Sequence, residues 1–311
     1  MVLLIAHSTD LFATRVAHRL QSQGQQVKIV SWPMLLFGEG FSWIGGCRPG
    51  LGDGEFRIQG ARIPISDLTG ILCFSSGRLE HLASNDWEAD EKAYMFQEGA
   101  AAHLAILHGC PCPVFNLPVP GEKVRLFFAS RTGQDSLRAF SLRVAPMAVA
   151  TSRQAALEWV DGYTGPLRLG SLFDPDCNRM GYFPNGLDEW DDTVISYPVF
   201  LQRFPQGQLY HIIIVGNSVI GGKVHHSDFD GSFVTGVIPE PIPQELTQAL
   251  VHGAKSVGLG FCECLVLERE HGEWMCADWN EFPRLGHWSE AVGEMVIEQL
   301  CSVLRAGRVG S

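Results

Sequence analysis

Hydrophobic and polar positions in this chain change period several times, and each change marks a predicted element. Residues 2–6 (VLLIA) form an unbroken apolar run, after which Phe12, Val16, Ala17 and Leu20 recur at helical spacing up to Gly24. A second run, QVKIVSW, follows. The chain therefore begins with a predicted β-α-β unit whose helix closes at the glycine. Over 32–53 the glycines and aromatics keep no period, which predicts a loop with an irregular hairpin. Residues 87–108 predict a long helix. Residues 197–224 read as strand, turn, strand, a two-residue turn at Gly216-Asn217, and strand. Leu246, Leu250, Val251, Ala254 and Val257 predict a helix that starts at prolines and closes at Gly258. Over 261–283 two apolar runs flank a polar turn containing Gly272, a β-hairpin signal.

The second run of that hairpin ends in Asp278-Trp279-Asn280. On a strand this spacing points the acid and the amide to one face. Two hard oxygen donors on one face suit Mg²⁺; the alternative is a hairpin whose polar residues sit at a wet strand end. Residues 225–232 (HHSDFDGS) collect His225, His226, Asp228 and Asp230 in a Gly/Ser-rich connection, read as a loop. Substrate contact, a solvated loop and a metal cluster all remain open there.

Composition narrows the class. The chain has 311 residues, 46% hydrophobic and 18% charged, enough for two or three lobes with a large core. The net charge of −11, without a Lys/Arg block, argues against a nucleic-acid partner. No apolar run approaches the ~20 residues of a membrane span, and the N-terminus lacks the basic region of a signal peptide, so the expected location is cytoplasmic. Nine cysteines, scattered through apolar segments, read as reduced core residues. Cys262 and Cys264 share one strand face and are expected to point inward; zinc is a remote alternative for them and for Cys110 and Cys112. The first strand is not followed by G-x-G-x-x-G, so a dinucleotide site is unsupported. A homodimer is open on general grounds alone.

Short motifs link these segments. Residues 65–72 (ISDLTGIL), Asn116-Leu117-Pro118 followed by Lys123 and Leu126, Val144-Ala145-Pro146 with residues 149–152 (VATS), Gly165-Pro166-Leu167 and Asp278-Trp279-Asn280 occur in this order. Together they resemble the ATP-grasp superfamily, in particular its branch of ribosomal-protein glutamate ligases and microviridin-type (graspetide) peptide macrocyclases. The resemblance covers nearly the whole chain. It implies an α/β chain with α+β lobes: an N-terminal Rossmann-like pre-ATP-grasp domain (1–105), a central lobe (106–195) and a C-terminal lobe (196–311). It also implies an enzyme that phosphorylates a carboxylate with ATP and Mg²⁺, after which an amine, hydroxyl or thiol displaces the phosphate. The substrate would be a small molecule or a peptide.

By this resemblance Lys123 and Arg168 would hold phosphate, and Gln202, Arg203 and Phe204 would form the adenine-side hinge. His211 would lie near the reacting phosphate, and Glu263, Asp278 and Asn280 would hold Mg²⁺. His225, His226, Asp228 and Asp230 would face the acceptor. The match has departures. The second phosphate lysine falls near Gly170, leaving Arg168, two residues earlier on the same strand face, to supply the charge. The loop at 171–185 has few glycines. A family arginine becomes His211, only partly charged near neutral pH and no substitute for a bidentate guanidinium. The first metal aspartate falls at Leu265, with Glu263 the nearest replacement. Three readings follow: a divergent ligase, an ATP-grasp scaffold that binds a peptide or partner without ATP chemistry, and a cleft using His211, His225 and His226 for other chemistry.

Overall fold

The apolar runs at the N-terminus become a parallel sheet. In this computed structural model the described residues are 1–7, 9–37, 41–44, 53–74, 88–116, 131–165, 167–171, 179–181, 198–203, 206–228, 233–281, 283, 285 and 288–307. The chain divides into two compact units. Unit 1 holds Met1–Val119, Gly258–Gly260 and Glu294–Ser311; unit 2 holds Pro120–Val257 and Phe261–Gly293.

Unit 1 contains β1 (Val2–Ile5), α1 (Leu11–Ser22), β2 (Val27–Val30), α2 (Trp32–Phe37), β3 (Phe41–Ile44), β4 (Asp53–Ile58), β5 (Ala61–Pro64), β6 (Gly70–Cys73), α3 (Ala89–Gly109) and β7 (Val114–Phe115). Strands β2, β1, β6 and β7 form a parallel sheet in that order, the pairing that β-α-β connections impose. Helix α1 starts where the Asp10 carboxylate accepts from the Ala13 N–H, and Gly24 closes it with φ +80°. Its buried stripe is Ala13, Val16, Ala17 and Leu20. The 32–53 segment is more ordered than its composition predicts. It opens with a short helix, α2, and its hairpin β3–β4 is extended by β5 into a separate antiparallel sheet. Local apolar clustering hid the helix: Trp32 and Leu35, three positions apart, are both buried in the core of this unit.

Unit 2 contains α4 (Arg131–Arg138), β8 (Leu142–Val144), β9 (Met147–Ala150), α5 (Arg153–Val160), β10 (Leu167–Ser171), β11 (Arg179–Gly181), β12 (Val199–Arg203), β13 (Gln208–Val215), β14 (Ser218–Asp228), β15 (Phe233–Pro239), α6 (Gln244–Ser256), β16 (Phe261–Glu268) and β17 (Trp274–Asn280). Helix α7 (Glu290–Ala306) begins here and contributes its later residues to unit 1. Strands β11-β10-β12-β9 form one antiparallel sheet, covered on one face by α5 through Ala156, Val160, Leu167, Leu169, Val199 and Leu201. The larger sheet runs β15-β14-β13-β16-β17-β8, antiparallel except for the β17–β8 pair. The β13–β14 turn is the expected two-residue one, with Gly216 at φ +60°.

Helix α6 lies across one face of this larger sheet. A Cβ at Gly253 would come within 2.8 Å of Leu137 and 3.2 Å of the Trp279 ring, and one at Gly221 within 2.3 Å of Ile242. Gly253 thus lets α6 approach β17 closely, and Gly221 does the same for β14 and the segment that leads into α6. The opposite face of the sheet carries the polar residues.

Candidate functional site

The hairpin β16–β17 sets the site through a bulge. Leu267 pairs with Met275 and Val266 with Cys276, but Leu265 pairs with Asp278 and Glu263 with Asn280. Ala277 is the extra residue. Directly opposed residues share a face, so the bulge sends Cys276 to the α6 side and Asp278 to the other. Cys276 Sγ then lies 3.6 Å from Cys264 Sγ, within the apolar layer. Burial pushes the Cys262 and Cys264 thiols well above their ordinary range, as expected of neutral packing groups. On the other face Asp278 and Asn280 stand beside Leu265 and Glu263, and β13 adds His211 directly opposite Leu265. His211 Nε2 is 3.3 Å from Glu263 Oε2.

The smaller sheet supplies a cation and an amide. In β10 and β12, Arg168 pairs with Gln202, so both project away from the face that packs under α5. Arg168 meets Asp278 with a nitrogen–oxygen distance of 2.5 Å, and its guanidinium lies 5.7 Å over the Phe200 ring. Gln202 Nε2 donates to the carbonyl of Ala277, the bulge residue, at 2.5 Å. The bulge thereby presents two acceptors to the same sheet, one charged and one on the backbone. Asp278 is 6% exposed, Arg168 6%, Gln202 2%, Glu263 1% and His211 0%. The alternative of a wet strand end does not hold for Asp278: the carboxylate is buried against a guanidinium, which meets the demand that a buried charge be compensated.

Other candidates lie elsewhere. The Arg203 side chain projects to the opposite face from Gln202, stacking over Trp159 at 4.5 Å and Tyr163 at 5.1 Å and donating to the Trp159 carbonyl. Residues 225–228 form no loop. They continue β14, with His226 opposite Thr235 and Asp228 opposite Phe233. Polar composition disguised a long strand whose partner, β15, starts beyond the Gly/Ser stretch. Lys123, Phe204 and Asp230 lie outside the described residues, as does most of 171–185. A separate groove of about 620 Å³ opens at the turn end of β16–β17, between Arg138, Arg143, Glu245, Glu273 and Trp274. It contains none of the candidate residues.

Sequence reasoning did not single out Trp288, whose ring centroid lies 5.2 Å from that of His211 at a tilt of 38°. Its signal was a buried-type aromatic in a polar stretch after the strand, which no periodicity marks. As a donor set, Glu263, Asp278 and Asn280 are hard oxygen ligands on one strand pair, the chemistry that suits Mg²⁺. The Arg168 guanidinium and the His211 imidazole stand beside them. No helix among the described residues is long and apolar enough to cross a membrane.

No protein-family model matches the sequence, and none of the curated proteins matches it either. Solved structures do match. The macrocyclase MdnC bound with precursor peptide MdnA from Microcystis aeruginosa superposes with a TM-score of 0.70 at 14% identity, over 98% of this chain and 99% of that one. A Chryseobacterium gregarium RiPP-associated ATP-grasp ligase, in complex with ADP and a leader and core peptide, gives 0.69 at 12% identity, over 97% and 96%. The ATP-grasp ligase PsnB with minimal precursor, Mg and ADP gives 0.64 at 16%, over 96% and 97%. Across nearly its whole length, this chain has the ATP-grasp fold that those peptide-modifying ligases share.

Proposed function

We propose that this protein is an ATP-dependent ligase that activates a carboxylate of a peptide as an acyl-phosphate and joins it to an amine, hydroxyl or thiol. One observation carries the reading. Glu263, Asp278, Asn280 and His211 share one sheet face, and that face meets Arg168 and Gln202 from a second sheet. Structures of the same fold were solved with ADP, Mg and precursor peptides, which supports ATP, Mg²⁺ and a peptide as the ligands here. The segments 1–105, 106–195 and 196–311 would be the pre-ATP-grasp domain, the central lobe and the C-terminal lobe.

Bound Mg²⁺-ATP would supply the transferable phosphoryl group and the charge that offsets it. Glu263, Asp278 and Asn280 would hold the cation, while Arg168, with Lys123, would hold phosphate oxygens. Gln202, Arg203 and Phe204 would border the adenine, the middle residue through its backbone. His211 would stand near the transferring group, where a donor matters most in the transition state. His225, His226, Asp228 and Asp230 would serve the peptide side. In the ligand-free protein Arg168 and Asp278 neutralise each other. Mg²⁺-nucleotide would exchange both partners at once, giving phosphate to the guanidinium and metal to the carboxylate.

The test is Mg²⁺-ATP titration followed by thermal unfolding and calorimetry, on wild type and Asp278→Ala. At 100 times its Kd the ligand should stabilise wild type by about 2.7 kcal/mol, and the variant far less. A second reading, a peptide-binding scaffold without ATP chemistry, is favoured by the same Arg168–Asp278 and His211–Glu263 pairs, which bring opposed groups together in the buried face without a ligand. No stabilisation by Mg²⁺-ATP, with a precursor-type peptide still binding, would establish that reading instead.

A further inference from the structure

The polar face carries one donor that this assignment leaves unused. Trp288 stands in the turn before α7, where its backbone N–H donates to the Leu285 carbonyl at 3.1 Å. The residue is 7% exposed, and its ring lies against His211, which in turn meets Glu263. The indole Nε1 is buried and has no hydrogen-bond partner among the described residues. Indole nitrogen is a donor only, and a buried donor left unmade is destabilising. Phenylalanine would stack on the imidazole without that cost. The N–H is therefore the part of Trp288 that packing does not explain.

We propose that the Trp288 indole N–H is a ligand-binding donor that, beside His211, holds an oxygen of the phosphoryl group being transferred. This rests on the ligase reading above. The chemistry of the neighbours selects an anionic oxygen. Once a divalent cation sits on Glu263, Asp278 and Asn280, the local field favours anions, and the indole N–H, on the ring that lies against His211, would serve one of their oxygens. A neutral donor also suits the position better than a second guanidinium. An arginine beside Glu263 would be drawn onto that carboxylate, whereas an indole N–H adds a directional bond without competing for it. In a site from which water is excluded, such a bond to a charged oxygen is strong.

The experiment uses the intact protein labelled with ¹⁵N at tryptophan indoles, with Trp288→Phe assigning the Trp288 N–H resonance. Mg²⁺-ADP and the non-transferable analogue Mg²⁺-AMPPNP are added separately, and binding of each is measured independently by calorimetry. The Trp288 resonance should move downfield with AMPPNP and stay near its free position with ADP. Trp288→Phe should bind AMPPNP about tenfold more weakly than wild type and ADP equally well. If both nucleotides bind and the resonance responds to neither, or to both alike, the inference is overturned while the ligase reading stands. Should neither nucleotide bind wild type, the ligase reading falls and takes this inference with it. If Trp288→Phe fails to fold, the wild-type resonance, assigned through nuclear Overhauser contacts with the adjacent His211 ring, decides by the same criterion.

Discussion

The two faces of the six-stranded sheet are built from the same strands and teach opposite lessons. Toward α6, Ile212, Cys264, Cys276 and Trp279 form a dry layer in which Gly253 lets helix and sheet touch. Toward the smaller sheet, His211, Glu263, Asp278 and Asn280 replace apolar residues at positions of the same strands. Both faces are buried, so exposure does not distinguish them. They differ in what burial does for stability. Apolar contact contributes directly, whereas a buried ion pair roughly breaks even against a well-packed apolar pair. That this face keeps buried charges without a clear stability gain supports the proposal that it binds a ligand.

That contrast breaks most visibly under truncation of the dry face. Trp279→Ala removes a ring that packs against Gly253 and should cost about 3–5 kcal/mol in urea-induced unfolding. A loss below about 1 kcal/mol would mean that the layer tolerates a cavity, and the distinction between the faces would lapse.

On the polar face, a pair of variants sharpens it. Asp278→Ala leaves the Arg168 guanidinium without its carboxylate and should cost about 3 kcal/mol. The double variant Arg168→Met with Asp278→Leu should return to wild-type stability, or exceed it by about 1–4 kcal/mol, while losing Mg²⁺-nucleotide binding. Stability recovered without function is the signature of a binding face. If the double variant is as unstable as the single one, the ion pair serves the fold.

The sequence showed the hairpin, the two-residue turn at 216–217 and the helix at 244–256 because each follows a single local period. Asp278 and Asn280 were legible as a same-face pair for the same reason. Period-two counting would have put Cys276 on that face as well, and only the bulge at Ala277 separates them. No local signal marks that bulge, since the extra residue is an alanine rather than a glycine. The partnership of Arg168 with Asp278 was invisible because it joins two sheets across 110 positions of sequence. Its two residues were each singled out, with expected roles as a phosphate cation and a metal carboxylate, but their pairing with each other depends on a tertiary approach. His225 and His226 misled in the opposite sense. Their polar setting spoke for a loop, while hydrogen bonding to β15 holds them in a strand.

The smallest expected effect separates charge as such from buried charge. In unit 1, Glu294 accepts from both Arg15, at 2.7 Å, and Arg19, and Glu298 lies 3.6 Å from Arg19. These groups are roughly half exposed, unlike the pair at Arg168. The hydrogen bonds from Arg15 and Arg19 hold the Glu294 carboxyl below its ordinary value of 4.5. A carboxyl lowered in the folded state stabilises the protein above its unfolded pKa and loses that contribution as pH falls through the folded value. Glu294→Gln should therefore lower stability by only about 0.2–1 kcal/mol at neutral pH and low salt. The difference from wild type should shrink as pH drops below about 4.5, and again as salt is raised at neutral pH. Unfolding curves for both proteins at several pH values measure it. A loss as large as that of Asp278→Ala, or one that persists in acid, would show that ion pairing alone, without burial, accounts for the behaviour of the polar face.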